Sequence, residues 1–181
     1  MNLIKKCLCC ENSDLIRVLS LPDTPLTDAY QITSKDSLDL RKYPLEASFC
    51  RKCTHLQLSI QVSAEESYSN YLYKSQVTLG LKEEFVSYAK QICNYFKESS
   101  IDILDVGSND GSFLKACKES GINAFGVEPS KDLAKYANSQ GLRTINSFFD
   151  GNFLKELSKN NFPFKFDVIS FNNVLANIGN P

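Results

Sequence analysis

The pattern of apolar and polar positions becomes regular only after Leu81. Leu81, Phe85, Tyr88, Ala89, Ile92 and Phe96 recur at helical spacing and predict a helix with one apolar face. Residues 101–106 predict a strand. Residues 112–120 predict a second helix, with Phe113, Leu114, Ala116 and Cys117 facing inward. A second strand is expected at 124–128, and Ser130 is a candidate N-cap for a helix carrying Leu133, Ala134 and Ala137. Gly141 stops that helix. Residues 142–145 then predict a third strand, Phe153, Leu154 and Leu157 another helix, and 166–171 a fourth strand. Strands and helices alternating at this length imply an α/β fold with a parallel sheet and right-handed crossovers.

Ahead of Leu81 this regularity is missing. Residues 1–62 hold five of the seven cysteines and no long helical period, which predicts a small, loop-rich module. Residues 63–80 carry Tyr68, Tyr71 and Tyr73 and read as a connector. The expected division is therefore 1–62, 63–80 and 81–181.

Composition narrows the classes. With 43% hydrophobic residues, the 181-residue chain can build a core. A net charge of −1 and a pI of about 5.9 lack the basic footprint of a nucleic-acid binder. Acids and bases nearly balance within 1–62, so little phosphate attraction is expected there. No apolar run is long enough to cross a membrane, and no apolar stretch follows Lys5 and Lys6 as in a secretory leader. The expected location is cytoplasmic, where a reducing milieu favours metal binding over disulfides for clustered cysteines.

Cys7-x-x-Cys10 and Cys50-x-x-Cys53 form two such knuckles. Together they offer four thiolates, the tetrahedral set that structural Zn²⁺ prefers, leaving no coordination position for water. Redox use of either pair is the alternative. Cys9 reads as a spare, His55 as a partly buried side chain rather than a fifth ligand, and Cys93 and Cys117 as small core residues.

The candidate small-molecule site lies at the strand ends. The first strand runs into Asp105-Val-Gly107-Ser-Asn109-Asp110-Gly111, and the second ends in Glu128. In an open α/β sheet this pairing holds a nucleoside: glycines permit close approach, and the distant carboxylate accepts from the ribose hydroxyls. The spacing Asp-x-Gly-x-x-x-Gly lacks the tight diphosphate cradle of dinucleotide folds. It resembles motif I of S-adenosylmethionine (SAM) methyltransferases. Asp105 is then expected to face the methionine ammonium and Glu128 the ribose diol. Phe148 and Phe149 are candidates to flank the adenine, or else core residues, and Asn172 and Asn173 lie where the methionine part is expected. A plain strand–helix turn is the competing reading of the glycines.

Taken together, the chain resembles the sugar C-methyltransferase family. The resemblance rests on both knuckles, Tyr43-Pro-Leu45, Tyr71-x-Tyr73-x-Ser75, Asp105–Gly111, Gly126-Val-Glu-Pro129-Ser130, Phe148-Phe149 and Asn172-Asn-Val-Leu-Ala176. It implies a zinc-binding module followed by a partial Rossmann-like SAM domain. The implied reaction is methyl transfer to an enolate carbon of a nucleotide-linked keto-deoxysugar. Tyr73, Ser75 and Pro129 join the cofactor-binding candidates through this resemblance. Tyr71 and Tyr73 contact cofactor or substrate, with a catalytic role open to them, or else pack as an aromatic hinge.

Two departures from the family pattern stand out. Asn177 occupies a position where the family usually carries histidine, and an amide cannot act as a general base. The chain also stops at Pro181, before the remaining strands and the C-terminal domain of the family, so a further domain or covering partner is expected and the chain alone is expected to be inactive. A non-catalytic SAM- or nucleotide-binding interaction protein with a structural zinc module is the alternative function.

Overall fold

The structure, a computed structural model, describes residues 1–27, 33, 35–36, 39–68, 73–96 and 100–178. Its contacts divide it into two units, Met1–Ser67 and Tyr68–Pro181.

The first unit is more regular than the sequence predicts. It contains β1 (Asn2–Leu3), β2 (Leu15–Thr24), β3 (Tyr43–Cys50), β4 (Leu56–Leu58) and β5 (Ile60–Gln61), followed by the short helix α1 (Ala64–Tyr68). β1 pairs with β5, and β2, β3 and β4 form an antiparallel sheet in that order. Its register shifts between Arg17 and Leu19 and again between Leu21 and Thr24. These irregularities break the two-residue period, so ten residues of strand read as loop. Register places Ile16, Leu19 and Leu21 beside Phe49, Ala47 and Leu45, with Leu56 and Leu58 on the far side. One sheet face is thus apolar, while the other carries Arg17, Ser48, Cys50 and Gln57.

The second unit contains α2 (Leu81–Phe96), β6 (Asp102–Val106), α3 (Ser112–Glu119), β7 (Asn123–Glu128), α4 (Lys131–Ser139), β8 (Arg143–Asn146), α5 (Phe153–Lys159) and β9 (Val168–Ser170). The sheet is parallel, in the order β8-β7-β6-β9. Side chains alternate across β6. Ile103 joins Phe85, Ala89 and Ile92 of α2 and Phe113, Ala116 and Cys117 of α3 in one core cluster. Leu104 and Val106 join Phe125, Val127, Ile145, Phe153, Leu157 and Phe162 in another. Leu154, expected on the apolar face of α5, is 65% exposed; Phe153 and Leu157 carry that contact. The fourth strand is shorter than predicted because β9 pairs with only Ile103–Asp105 of β6, and Phe166 packs edge-on against Phe125 instead.

β7 lies on one side of β6 and β9 on the other, so chain order reverses at β6. A crevice forms beyond the carboxyl ends of strands at such a point. Among the described residues, no helix is long and apolar enough to cross a membrane.

Candidate functional site

The segment after β6 turns tightly, with Gly107, Asn109 and Gly111 at φ of 70°, 53° and 81°. The N–H groups of Gly107 and Ser108 both donate to the Val127 carbonyl, at 2.8 and 3.1 Å, which carries the loop over the end of β7. There it meets Glu128. The N–H of Asn109 donates to Glu128 Oε2 at 2.9 Å, and that of Ser130 to Oε1 at 2.8 Å. Glu128 is buried, and burial pushes its carboxyl up, against the lowering effect of the Ser130 and Asn109 bonds. Each carboxylate oxygen keeps a second lone pair, enough to accept two hydroxyl donors.

The glycines also make room for neighbouring side chains. A Cβ at Gly107 would stand 2.5 Å from Val174 Cγ2, and one at Gly111 would stand 2.6 Å from Leu142 Cδ1. Protein side chains occupy both bare faces. At Gly126 in β7, a Cβ would meet Ser108 Oγ at 2.5 Å and Leu114 Cδ1 at 2.8 Å, so that glycine lets loop and strand close on one another. Ser108 Oγ is buried and is the single buried side-chain N or O atom among the described residues with no hydrogen-bond partner.

Asn109 and Asp110 turn their side chains to the connector. Asn109 Oδ1 accepts from the Ser75 N–H at 3.0 Å, and its Nδ2 donates to the Tyr73 carbonyl at 2.9 Å. Asp110 Oδ2 accepts from the Gln76 N–H, while Oδ1 accepts from the N–H and hydroxyl of Ser112 at the start of α3. Both residues, cofactor-binding candidates from the sequence, anchor 73–76, and Asp110 also bonds the start of α3. Ser75 enters the site through its backbone. The Tyr73 hydroxyl bonds that of Thr78, and Lys74 lies over the Tyr136 ring at 4.6 Å. Tyr71 lies outside the described residues.

Asp105 is a further buried acid. Register sets it beside Ser170, whose hydroxyl donates to Oδ1 at 2.5 Å; Asn172 Nδ2 stands 3.3 Å from the same oxygen. Burial pushes the Asp105 carboxyl up to about 7, with a smaller push from Glu128; the Ser170 and Asn172 bonds oppose it. The site thus has three buried acids: Asp105 where the loop leaves β6, Asp110 within the loop, and Glu128 at the end of β7. A cationic ammonium suits Asp105, and a diol suits Glu128.

The remaining candidates scatter around this centre. The Pro129 carbonyl accepts from Asn146 Nδ2. Phe149 is 38% exposed and packs on Phe153 and Phe171, whereas Phe148 is half-buried. Ser170 and Val174 were not singled out from sequence. The signal for Ser170 is its parity with Asp105, visible only once β9 is known to neighbour β6.

The cysteine cluster is built from two matching turns. Cys7 N–H donates to the Asn12 carbonyl and Glu11 N–H to the Cys7 carbonyl; Cys50 N–H and Thr54 N–H repeat the pattern with His55 and Cys50. Glu11 and Thr54 hold the same left-handed conformation, φ 57° and 62°. The four sulfurs of Cys7, Cys10, Cys50 and Cys53 lie within 4.8 Å of one another, with Cys7–Cys53 at 3.5 Å and Cys10–Cys50 at 3.7 Å. Tetrahedral Zn²⁺ with thiolate bonds of about 2.3 Å needs sulfurs about 3.8 Å apart, so the donor set fits. The N–H groups of Cys53 and Lys52 hold the Cys50 thiol down to about 6, against burial. Asn12 Nδ2 reaches Cys50 Sγ at 3.8 Å, and Gln57 pins the first knuckle through Leu8 N–H and the Lys6 carbonyl. Cys9 is exposed and His55 half-buried, and both lie outside the cluster.

Both parts of the chain are similar to known proteins. Residues 7–68 match the family model described as "Putative zinc binding domain", and residues 81–181 match a methyltransferase domain. The chain is 24% identical over 156 residues to the C-methyltransferase NovU of Streptomyces niveus, covering 86% of this chain and 37% of that relative. The chain therefore spans about a third of the length of this curated relative. Among solved structures, a SAM-dependent methyltransferase from Archaeoglobus fulgidus is 30% identical over 41% of this chain and 33% of its own, with a TM-score of 0.33. The plantazolicin methyltransferase BpumL in complex with SAH is 21% identical over 47% of this chain and 32% of its own, with a TM-score of 0.34.

Proposed function

The chain belongs to the methyltransferase-domain family, and from that premise we propose that residues 81–181 form the SAM-binding part of a C-methyltransferase. The acceptor we propose is a nucleotide-linked keto-deoxysugar, the class the sequence resemblance implies. One observation carries the reading: Glu128 meets the loop 105–111 through the 2.9 Å bond from Asn109 N–H. A buried carboxylate beside backbone donors at a strand end is the arrangement that holds a ribose diol.

When bound, SAM supplies an electrophilic methyl group on a sulfonium. The chain's own residues do the holding. Glu128 accepts from the ribose hydroxyls, and Asp105 faces the ammonium from the end of β6. Ser170 and Asn172 fix the Asp105 carboxylate. The Tyr73–Gln76 segment, tied to Asn109 and Asp110, borders the loop. On the acceptor, a base removes the proton on the carbon next to the ketone. Glu128, Asp105 and the Tyr73–Gln76 segment would hold the donor so that its methyl could pass to that carbon, the carbon–sulfur bond breaking and S-adenosylhomocysteine being the leaving group. The zinc module would take no chemical step, because Cys7, Cys10, Cys50 and Cys53 would fill the metal's four positions.

The test is calorimetric titration of the chain with SAM and with S-adenosylhomocysteine. Binding that Glu128→Gln weakens supports the reading. A chain that binds neither, while its circular dichroism shows it folded, refutes it. The deoxysugar assignment is tested separately, by turnover of the full-length protein with keto-sugar nucleotides.

A further inference from the structure

The three-stranded sheet of the first unit is inside out. Its polar face is the buried one: Cys50, Ser48 and Gln57 are all buried. Ser48 shares a 2.9 Å hydrogen bond with Ser59, and Gln57 holds Leu8 and Lys6 of the first knuckle. The apolar face is the open one. Ile16, Leu19 and Leu21 of β2 and Leu56 and Leu58 of β4 are between 36% and 59% exposed. Between them, Leu45, Ala47 and Phe49 of β3 are only half-buried. No charged residue belongs to this face. Arg17 and Glu46 of the same strands pair with each other on the opposite one, at 2.7 Å.

A bulge gathers this patch. Register runs from Arg17–Ser48 to Leu19–Ala47, so Val18 is an extra residue. Under unbroken alternation Leu19 would lie opposite Glu46, on the polar face. The shift turns Leu19 and Leu21 to the side of Ile16 instead. The eight side chains present about 600 Å² of apolar surface, the upper end of what a monomer leaves in one patch. Exposing that surface costs a monomer free energy and gains it no contact.

We propose that this face is the contact between two copies of the chain, packed sheet on sheet about a twofold axis. Area supports a second copy as the occupant: two such patches remove about 1,200 Å² from water, the size at which specific interfaces begin. Chemistry supports it too. A twofold sets the patch against itself, and a patch without charges then buries none. Two apolar sheet faces pack as the halves of a sandwich do. The sheet edges are poorer contacts. β2 is twice shifted in register, and β4 is three residues long, so neither edge offers a long regular ladder to another strand.

The test is the mass of the zinc-loaded chain in solution, by sedimentation equilibrium up to about 100 µM. The expected mass is twice the 20.3 kDa of one chain. Leu19→Lys and Leu56→Lys, at side chains already exposed, are each expected to raise the dimer dissociation constant at least about tenfold while circular dichroism stays that of wild type. Arg17→Ala, on the opposite face, should change it by less than about twofold. If a lysine variant loses the wild-type spectrum, the milder Leu56→Ser replaces it. A wild-type chain that stays monomeric overturns the proposal and leaves the face to a different occupant. So does a dimer that neither leucine substitution weakens, or one that Arg17→Ala weakens equally.

Discussion

Asn109 gives its backbone N–H to Glu128 across 2.9 Å, so the loop after the first strand of the parallel sheet is tied to the acid that ends the second. The residues are far apart in sequence and belong to different strand–helix units. Their bond makes one site of two motifs. Replacing Glu128 by Gln keeps an acceptor oxygen but removes the charge. The expected loss of SAM affinity is about 1.5–3 kcal/mol, or roughly 10- to 100-fold. Calorimetry on the folded variant checks it, and an unaltered dissociation constant removes Glu128 from the site.

Asp105 makes stability depend on pH. Its folded pKa of about 7 lies above the ordinary carboxylate value of 3.8. Folding therefore favours the protonated form, and stability falls as pH rises from about 4 to about 7. Asp105→Asn should exceed wild type in unfolding free energy at pH 8 by no more than about 4 kcal/mol, and the two should converge near pH 4. Glu128, also raised, leaves part of the slope in place. The same variant should bind SAM more weakly. A stability difference equal at both pH values would show that the buried charge is not its origin.

The cysteine cluster should hold one zinc per chain by elemental analysis. Cys10→Ser or a strong chelator should remove the metal and open the first unit to proteolysis, since its cysteines lie in turns that the metal would cross-link. Thr54 is β-branched at φ 62°, a conformation glycine adopts freely. Thr54→Gly should raise the thermal stability of the metal-loaded chain by about 1 kcal/mol. A full complement of metal in Cys10→Ser would rule out the four-sulfur site.

Two glycines separate crowding from backbone conformation. A Cβ at Gly126 would run into Ser108 and Leu114, whereas one at Gly121 meets nothing within 4 Å but sits at φ 83°. Gly126→Ala should cost about 1–3 kcal/mol or more by overpacking. Gly121→Ala should cost only about 1 kcal/mol of backbone strain. Urea denaturation ranks them, and the reverse order would mean that the loop does not close on β7 as described.

Much of the second unit is legible along the chain because its elements are local. The 3.6-residue recurrence from Leu81 to Phe96 and the short apolar runs at 101–106 and 124–128 depend only on which face each residue must bury. The first unit is less legible. The β2–β3 register shifts twice, at Arg17/Leu19 and Leu21/Thr24, so strands that pair well in space lose their alternation in sequence.

By itself, the sequence determined the two knuckles, the strand–turn–helix order and the two acids at strand ends, because each is a matter of residue type and short spacing. Only the tertiary structure decided what those residues meet. Strand order put Ser170 beside Asp105, Val174 covered Gly107, and Asn109 and Asp110 spent their side chains on the Tyr73–Gln76 segment. The physical reason is that a buried polar group must find its partner, and a bare glycine its neighbour, among residues that chain distance does not reveal.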